Sequence, residues 1–358
     1  METTWFCIVA LMLAIYVLLD GFDLGAGIIH LFAARNDHER RQILATIGPV
    51  WDGNEVWLLA AGGVLYFAFP GLYAAGFSGF YLALMVVLWL LMLRGIAVEF
   101  RNHLGGGLWG PFFDVVFCAA SALLAIFYGA ALGNVVRGVP INAEGYFFVP
   151  FWTNFRASGA TPGIIDWYTM LVGVTALLVL TQHGALWVAT KTEGEVQARS
   201  RGLASKVFWL VCVAVLAISV ASFQVQPHLY ESFAERSWIW IFPVVAVAGL
   251  LALRLCLTAG IEFWAFIGSA AFIVGLLCSA AFGLYPNVLP AVPDAGRSLT
   301  IHNVAAPAYG LAIGFAWWIP AFLLAVGYTV FVYRHFRGKV QVVSHAHPTE
   351  PIGINFGG

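Results

Sequence analysis

Charge is what this sequence has least of. Of its 358 residues only 10% are charged, while 61% are hydrophobic and the mean hydropathy is +0.87. A soluble domain carries about 25% charged residues, so a soluble fold is excluded and the chain reads as an all-α polytopic membrane protein. The net charge of −1 excludes the broad basic footprint of a nucleic-acid binder. Cysteine is also sparse. Cys7, Cys118, Cys212, Cys256 and Cys278 lie in apolar stretches without any CxxC, so they read as small buried hydrophobes. There is no Walker A motif, no Rossmann glycine pattern, no HExxH and no GxSxG, and no metal site is expected. The chain shows no catalytic constellation of its own.

Long apolar runs are what it does have. They cover 5–33, 50–69, 74–98, 112–135, 163–189, 203–223, 237–256, 262–284 and 306–333. A span needs roughly 20 residues, so the expectation is about nine transmembrane helices in a single domain, residues 1–338. The second run is short, and only "LTAGIE" separates the seventh from the eighth. No Lys or Arg precedes residues 5–19 and Asp20 follows them, so this stretch reads as a retained first span and not a cleaved leader.

The basic residues orient the spans. With the N-terminus outside, inner segments carry Arg35, Arg40, Arg41, Arg94, Arg101, Lys191, Arg199, Arg201, Lys206, Arg254, Arg334, Arg337 and Lys339. The outer ones carry Arg137, Arg156, Arg236 and Arg297, a balance of 13 to 4 among the 17. That fits the positive-inside rule and puts the C-terminus in the cytoplasm. The long outer connections are 136–162, 224–236 and 285–305; the prolines of "YPNVLPAVP" exclude a regular helix in the last. Residues 339–358 lack periodicity and read as a disordered tail, with His345 and His347 solvated.

Four acids stand where apolar residues dominate. In "GPVWDGNEVW" Asp52 and Glu55 fit a capping box, with Asp52 as N-cap and Glu55 at N3. Counting 20 residues back from Phe69 also places Asp52 just inside the inner boundary and Glu55 about a turn deeper, so a cap and a buried acid are compatible readings. In "LLDGFDLGAG" Asp20 and Asp23 are three apart and share a helix face, near mid-membrane or near the inner interface according to where the span starts. Gly21 and Gly25 form a G-x-x-x-G, which implies close contact with another helix. Intramembrane acids usually face an interior or a wet path; the four together point to proton or cation handling, the alternative being acids bonded to a neighbouring hydroxyl or arginine. Arg94 and Glu99 in "LRGIAVEFR" read as an interfacial ion pair, with Arg94 also a candidate partner for a first-span Asp.

Haem needs axial His, Met or Cys. The only histidines inside the apolar runs are His30 and His183, both near inner ends, and paired histidines on facing helices are absent. Any redox role needs a partner that holds the redox centres.

"DGFDLGAG", "RNDHERRQILATIGPVWDGNEVW", "FPGLYAAGFSGFY", "RGIAVEFR" and, later, "YPNVLP" with "SLTIHN" resemble subunit II of the cytochrome bd-type quinol oxidases. The likeness is dense over residues 20–101 and looser afterwards. Ala291 stands where the family often has a serine, and "NVAAPAYGL" is less polar than its usual equivalent. The resemblance implies two four-helix bundles plus a peripheral helix, in a bacterial or archaeal plasma membrane. It implies a heterodimer with a separate subunit I that carries three haems and the quinol site, with small accessory subunits compatible. Subunit II itself binds no haem, although some members hold a structural quinone. The complex oxidises quinol and reduces oxygen to water with protons from the inner side. By likeness, Asp52 is the proton-path acid, Asp20 and Asp23 belong to the same inner-side polar network, and Trp57 borders the lateral oxygen entrance. A secondary transporter or ion channel using Asp20, Asp23, Asp52 and Glu55 is the alternative.

Overall fold

A computed structural model of the chain describes residues 1–103, 107–157, 159, 162–342 and 354–356. His345 and His347 lie outside the described residues, as does most of the tail. The apolar runs fold as helices with nearly the expected bounds. In chain order these are α1 (Glu2–Ala33), α2 (Asp37–Ile47), α3 (Trp51–Ala68), α4 (Pro70–Gly79), α5 (Tyr81–His103), α6 (Trp109–Arg137), α7 (Trp167–Lys191), α8 (Gly194–Val225), α9 (Pro227–Glu235), α10 (Ile241–Ala259), α11 (Glu262–Leu284) and α12 (Ala308–His335). Eight of the described helices are long and apolar enough to cross a membrane. With α3, whose 18 residues extend roughly 27 Å at 1.5 Å each and whose hydropathy is lowered by Asp52, Asn54 and Glu55, the count is about nine. The run expected at 74–98 divides at Phe80 into α4 and α5, and α5 alone is long and apolar enough to span. Two of the long connections, 224–236 and 285–305, hold structure of their own. The segment 224–236 contains α9, opened by Pro227 at a position where proline suits a helix start. The proline-rich segment is not helical, as expected, and pairs β1 (Asn287–Leu289) with β2 (Leu299–Thr300). Beyond Lys339, β3 (Val340–Val342) pairs antiparallel with β4 (Ile354–Phe356).

The spans group as α1, α3, α4–α5 and α6 in one bundle and α7, α8, α10 and α11 in the other, joined where α7 packs on α1 and α6. Burial separates the centre from the edge: in the most apolar stretch of α7, 72% of residues are buried, against 6% in α12. The peripheral helix of the expected architecture is therefore α12. Small residues fix the close crossings. A methyl on Gly25 would lie 2.1 Å from the Leu180 carbonyl oxygen and 2.6 Å from the Gly184 Cα. The expected glycine contact thus forms, with α7 of the same chain. Gly249 and Gly268 bring α10 and α11 together in the same way.

The two ends of the bundle differ. One gathers the N-terminus and the long connections: Thr3 bonds Tyr285 at 3.0 Å, and Arg236 donates to the Tyr285 carbonyl at 2.7 Å. There Arg137, 1% exposed, donates to Asp166, Asn134 and the Gly163 carbonyl and ties Gly163 and Asp166 to the end of α6. The other end holds α2, the α7–α8 turn and the end of α12, joined by Arg199–Glu39 at 2.7 Å and Lys191 to the Phe336 carbonyl at 2.7 Å.

Candidate functional site: an intramembrane carboxylate network

Asp20 and Asp23 lie on the face of α1 that looks into the first bundle, 0% and 1% exposed. Arg94, projecting from α5 and 1% exposed, donates Nη1 to Asp20 Oδ1 at 2.6 Å and Nη2 to Glu55 Oε2 at 2.7 Å. Tyr16 donates its hydroxyl to Asp20 Oδ2 at 2.8 Å, and the Tyr16 and Tyr128 hydroxyls are hydrogen-bonded at 2.8 Å. Asp23 takes a different partner. Asn54 Nδ2 donates to its Oδ2 at 2.7 Å, and Tyr333 of α12 donates to Asn54 Oδ1 at 2.8 Å. Asp23 Oδ1 is buried with no hydrogen-bond partner among the described residues. Two carboxyl groups, Asp20 and Glu55, thus share one guanidinium, and Asp23 stands beside them on α1 with Asn54 as its partner.

The network opens towards α3. The Glu55 side chain is 24% exposed, and Asp52, almost a turn before it, is exposed. The capping box expected for these two does not form. Val50 is the N-cap of α3 and no side chain caps it. The turn from Gly48 to Val50 already winds the chain, so the helix begins before Asp52 and Asp52 falls at its second position, with Asn54 turned inward. The expected Arg94–Glu99 pair is also absent. Glu99 is exposed, and five residues along a helix is about 140° around it, so the two side chains diverge. Arg94 instead bridges two other helices. Trp57 is 6% exposed and packs edge-to-face on Phe322 of α12 at 6.0 Å. Gly21 backs onto Leu180.

A second charged cluster, not foreseen from sequence, lies at the α2 end. Asp114 of α6 accepts from Arg101 Nε at 2.6 Å and Arg40 Nη1 at 3.0 Å, and His30 Nε2 lies 2.6 Å from it. Arg101 also reaches Asp37 at 2.8 Å. Burial opposes the Asp37 charge, but Arg101 and Arg41 prevail and hold its pKa below the usual carboxylate range. Burial likewise opposes the Glu39 charge, and the Arg35 amide with Arg199 lowers its pKa. The signal available in the sequence was Asp114 in "GPFFDVVF", an acid inside an apolar run like the other four.

Both intramembrane histidines have protein partners, and His30 Nδ1 is buried with none among the described residues. His183 has Nδ1 2.6 Å from the Ser269 hydroxyl and Nε2 3.1 Å from the Leu18 carbonyl, with Phe266 stacked at 4.6 Å. His30 is fully buried, held by Asp114, with Phe117 against its ring. Among the described residues no group of three or more His, Cys, Asp or Glu could hold a metal ion.

A family model for cytochrome bd terminal oxidase subunit II matches residues 1–336. The cytochrome bd ubiquinol oxidase subunit 2 of Bacillus subtilis is 31% identical over 345 residues, covering 96% of this chain and 97% of that protein. The cytochrome bd-I ubiquinol oxidase subunit 2 of Escherichia coli K12 is 28% identical over 367 residues, 94% of each chain. A chain in the structure of bd oxidase from Geobacillus thermodenitrificans superposes with a TM-score of 0.74 at 18% identity, covering 94% of this chain and 98% of that one, which shows the shared fold. Nothing in these likenesses supports a transporter or channel. Matched over nearly its whole length, the multi-pass chain belongs to the cytochrome bd terminal oxidase subunit II family, a membrane component of a respiratory oxidoreductase.

Proposed function

We propose that this chain is the haem-free subunit of a bd-type quinol oxidase, paired with a haem-bearing subunit I, and that it conducts protons from the inner face towards the partner. Asp52 takes up the proton, Glu55 and the Arg94–Asp20 pair form the next station, and Tyr16 and Tyr128 extend the hydrogen-bonded line. The observation that carries this reading is the arrangement of Arg94. It is buried between Asp20 and a partly exposed Glu55, one turn from an exposed Asp52. A purely structural ion pair needs one carboxylate, and this one is extended to the surface of α3. Ionisable groups inside a membrane bundle mark proton relays where free water cannot cross.

The partner surface is the α3–α12 side. Val56 and Leu59 are 51% and 73% exposed beside Asp52, and Trp317 and Leu324 on α12 are 75% and 76% exposed. In this placement Asp52 lies at the inner rim of the partner contact, open to the inner side. Trp57, packed between α3 and α12, borders the oxygen route. The N-terminus lies outside and the C-terminus in the cytoplasm of a bacterial or archaeal plasma membrane, in keeping with the segregation of Lys and Arg to the α2 end. Residues 1–338 form one integral domain. A structural quinone and accessory subunits are compatible with this arrangement. The engaged ring nitrogens of His183 support the haem-free role.

Affinity purification of a tagged chain tests the assignment. It should bring down a haem-bearing partner with a visible spectrum of reduced haem, and the chain produced alone should show no Soret band. Stoichiometric haem in the lone chain would overturn the assignment.

A further inference from the structure

At the α2 end, the ends of α8 and α10 diverge into an open groove of about 420 Å³, lined by Ala198, Arg201, Gly202, Ser205, Arg254, Leu257 and Thr258. Two arginines cross it in opposite directions. Arg254 of α10 donates to the Ser205 hydroxyl on α8 at 3.0 Å, and Arg201 of α8 donates to the Leu257 carbonyl on α10 at 3.2 Å. The nearby acid is Glu262, 3.6 Å from Arg201. Two guanidiniums against one carboxylate leave a net positive charge. Each guanidinium has further N–H donors, and the Ser205 and Thr258 hydroxyls add two more polar groups.

The groove is polar at one end and apolar at the other. On α8 the membrane interior lies towards higher numbers, and on α10 towards lower ones. One turn inward from Ser205 stands Trp209, 62% exposed; one turn inward from Arg254 stands Leu251, 59% exposed. The Arg254 guanidinium sits 5.3 Å from the Phe208 ring centroid and 5.7 Å from that of Trp209, which holds it over the apolar surface. Guanidinium binds phosphate oxygens through paired donors, and basic pockets between transmembrane helices suit anionic head groups. We propose that this groove is a phosphate-binding site filled by the head group of an anionic phospholipid, with the acyl chains lying along Trp209 and Leu251.

Native mass spectrometry of the purified, delipidated complex titrated with phosphatidylglycerol tests the site. The wild-type complex should bind one lipid that Arg201→Gln with Arg254→Gln loses, each arginine weakening it roughly fivefold. Arg201→Gln alone leaves the Arg254 packing on Phe208 and Trp209 in place and should show its share of the loss if the double variant fails to assemble. Lys206→Gln, which removes an exposed charge outside the groove, should bind as wild type. Displacement of the lipid by millimolar inorganic phosphate would assign the site to free phosphate as well; retention of the lipid would assign it to the head group. Equal phosphatidylglycerol binding by the wild-type and Arg201→Gln complexes would overturn the proposal.

Discussion

Arg94 of α5 and Asp20 of α1 form an ion pair at 2.6 Å with 1% and 0% of their side chains exposed. Removing one member of a buried pair leaves the other charge without compensation, at about 3–5 kcal/mol. Arg94→Gln should therefore lower the melting temperature and the yield of the complex. Adding Asp20→Asn should recover much of the loss in stability without restoring turnover. A single Arg94→Gln variant with normal melting would contradict the pairing.

The α1–α7 crossing admits no side chain at Gly25. Gly25→Ala should destabilise the chain by about 1–3 kcal/mol through overpacking, because the added methyl meets backbone atoms of Leu180 and Gly184. Gly62→Ala is the matched control, since nothing lies within 4 Å of a methyl there. Thermal unfolding of the two variants should separate them; equal stability would count against so close a crossing.

The α2 end should be acid-labile. Asp37 and Glu39 titrate below their ordinary values, because Arg101 and Arg41, and Arg35 and Arg199, outweigh the opposing effect of burial. A depressed folded-state pKa adds stability that is present above the unfolded value of roughly 4 and is lost as pH falls through the folded one. The melting temperature should drop as pH is lowered from about 5 to 3, and Asp37→Asn with Glu39→Gln should flatten that drop. An unchanged slope would show that these ion pairs do not stabilise the fold.

Trp57 distinguishes packing from a route for oxygen. Trp57→Phe keeps an aromatic ring against Phe322, whereas Trp57→Ala opens the space between α3 and α12. Trp57→Ala should change the apparent oxygen KM several-fold while leaving the quinol KM close to wild type. Parallel changes in both would indicate a packing role alone.

The spans were legible because twenty apolar residues in succession have few other uses, and the close crossing was legible because Gly21 and Gly25 repeat at one-turn spacing. Which arginine meets which acid was not. Pairing depends on how each helix is rotated about its axis, and that is set by contacts such as Gly25 on Gly184, far away in sequence. The pairing of Arg94 with Glu99 expected from the sequence overlooked that five residues along a helix turn the two side chains about 140° apart, and the choice of Asp20 and Glu55 required the fold. The capping pattern at Asp52 misled because D-x-x-E suits both a helix start and a helix already begun at Trp51. Asn54 and Tyr333, which complete the Asp23 branch, are ordinary residues in sequence and acquire their meaning when α12 lies beside α3.

Asp52 is the most direct test of proton conduction through this chain. It is exposed and caps nothing, so Asp52→Asn should leave haem content and assembly intact. Asn cannot carry a proton, and oxygen consumption should fall by roughly tenfold or more, with partial recovery in Asp52→Glu. The deciding measurement is proton uptake from the inner side during turnover of the purified complex in sealed vesicles. Slow uptake in Asp52→Asn that tracks the fall in oxygen consumption, and recovery of both in Asp52→Glu, is the expected result; full oxygen consumption with full inner-side uptake in Asp52→Asn would contradict it.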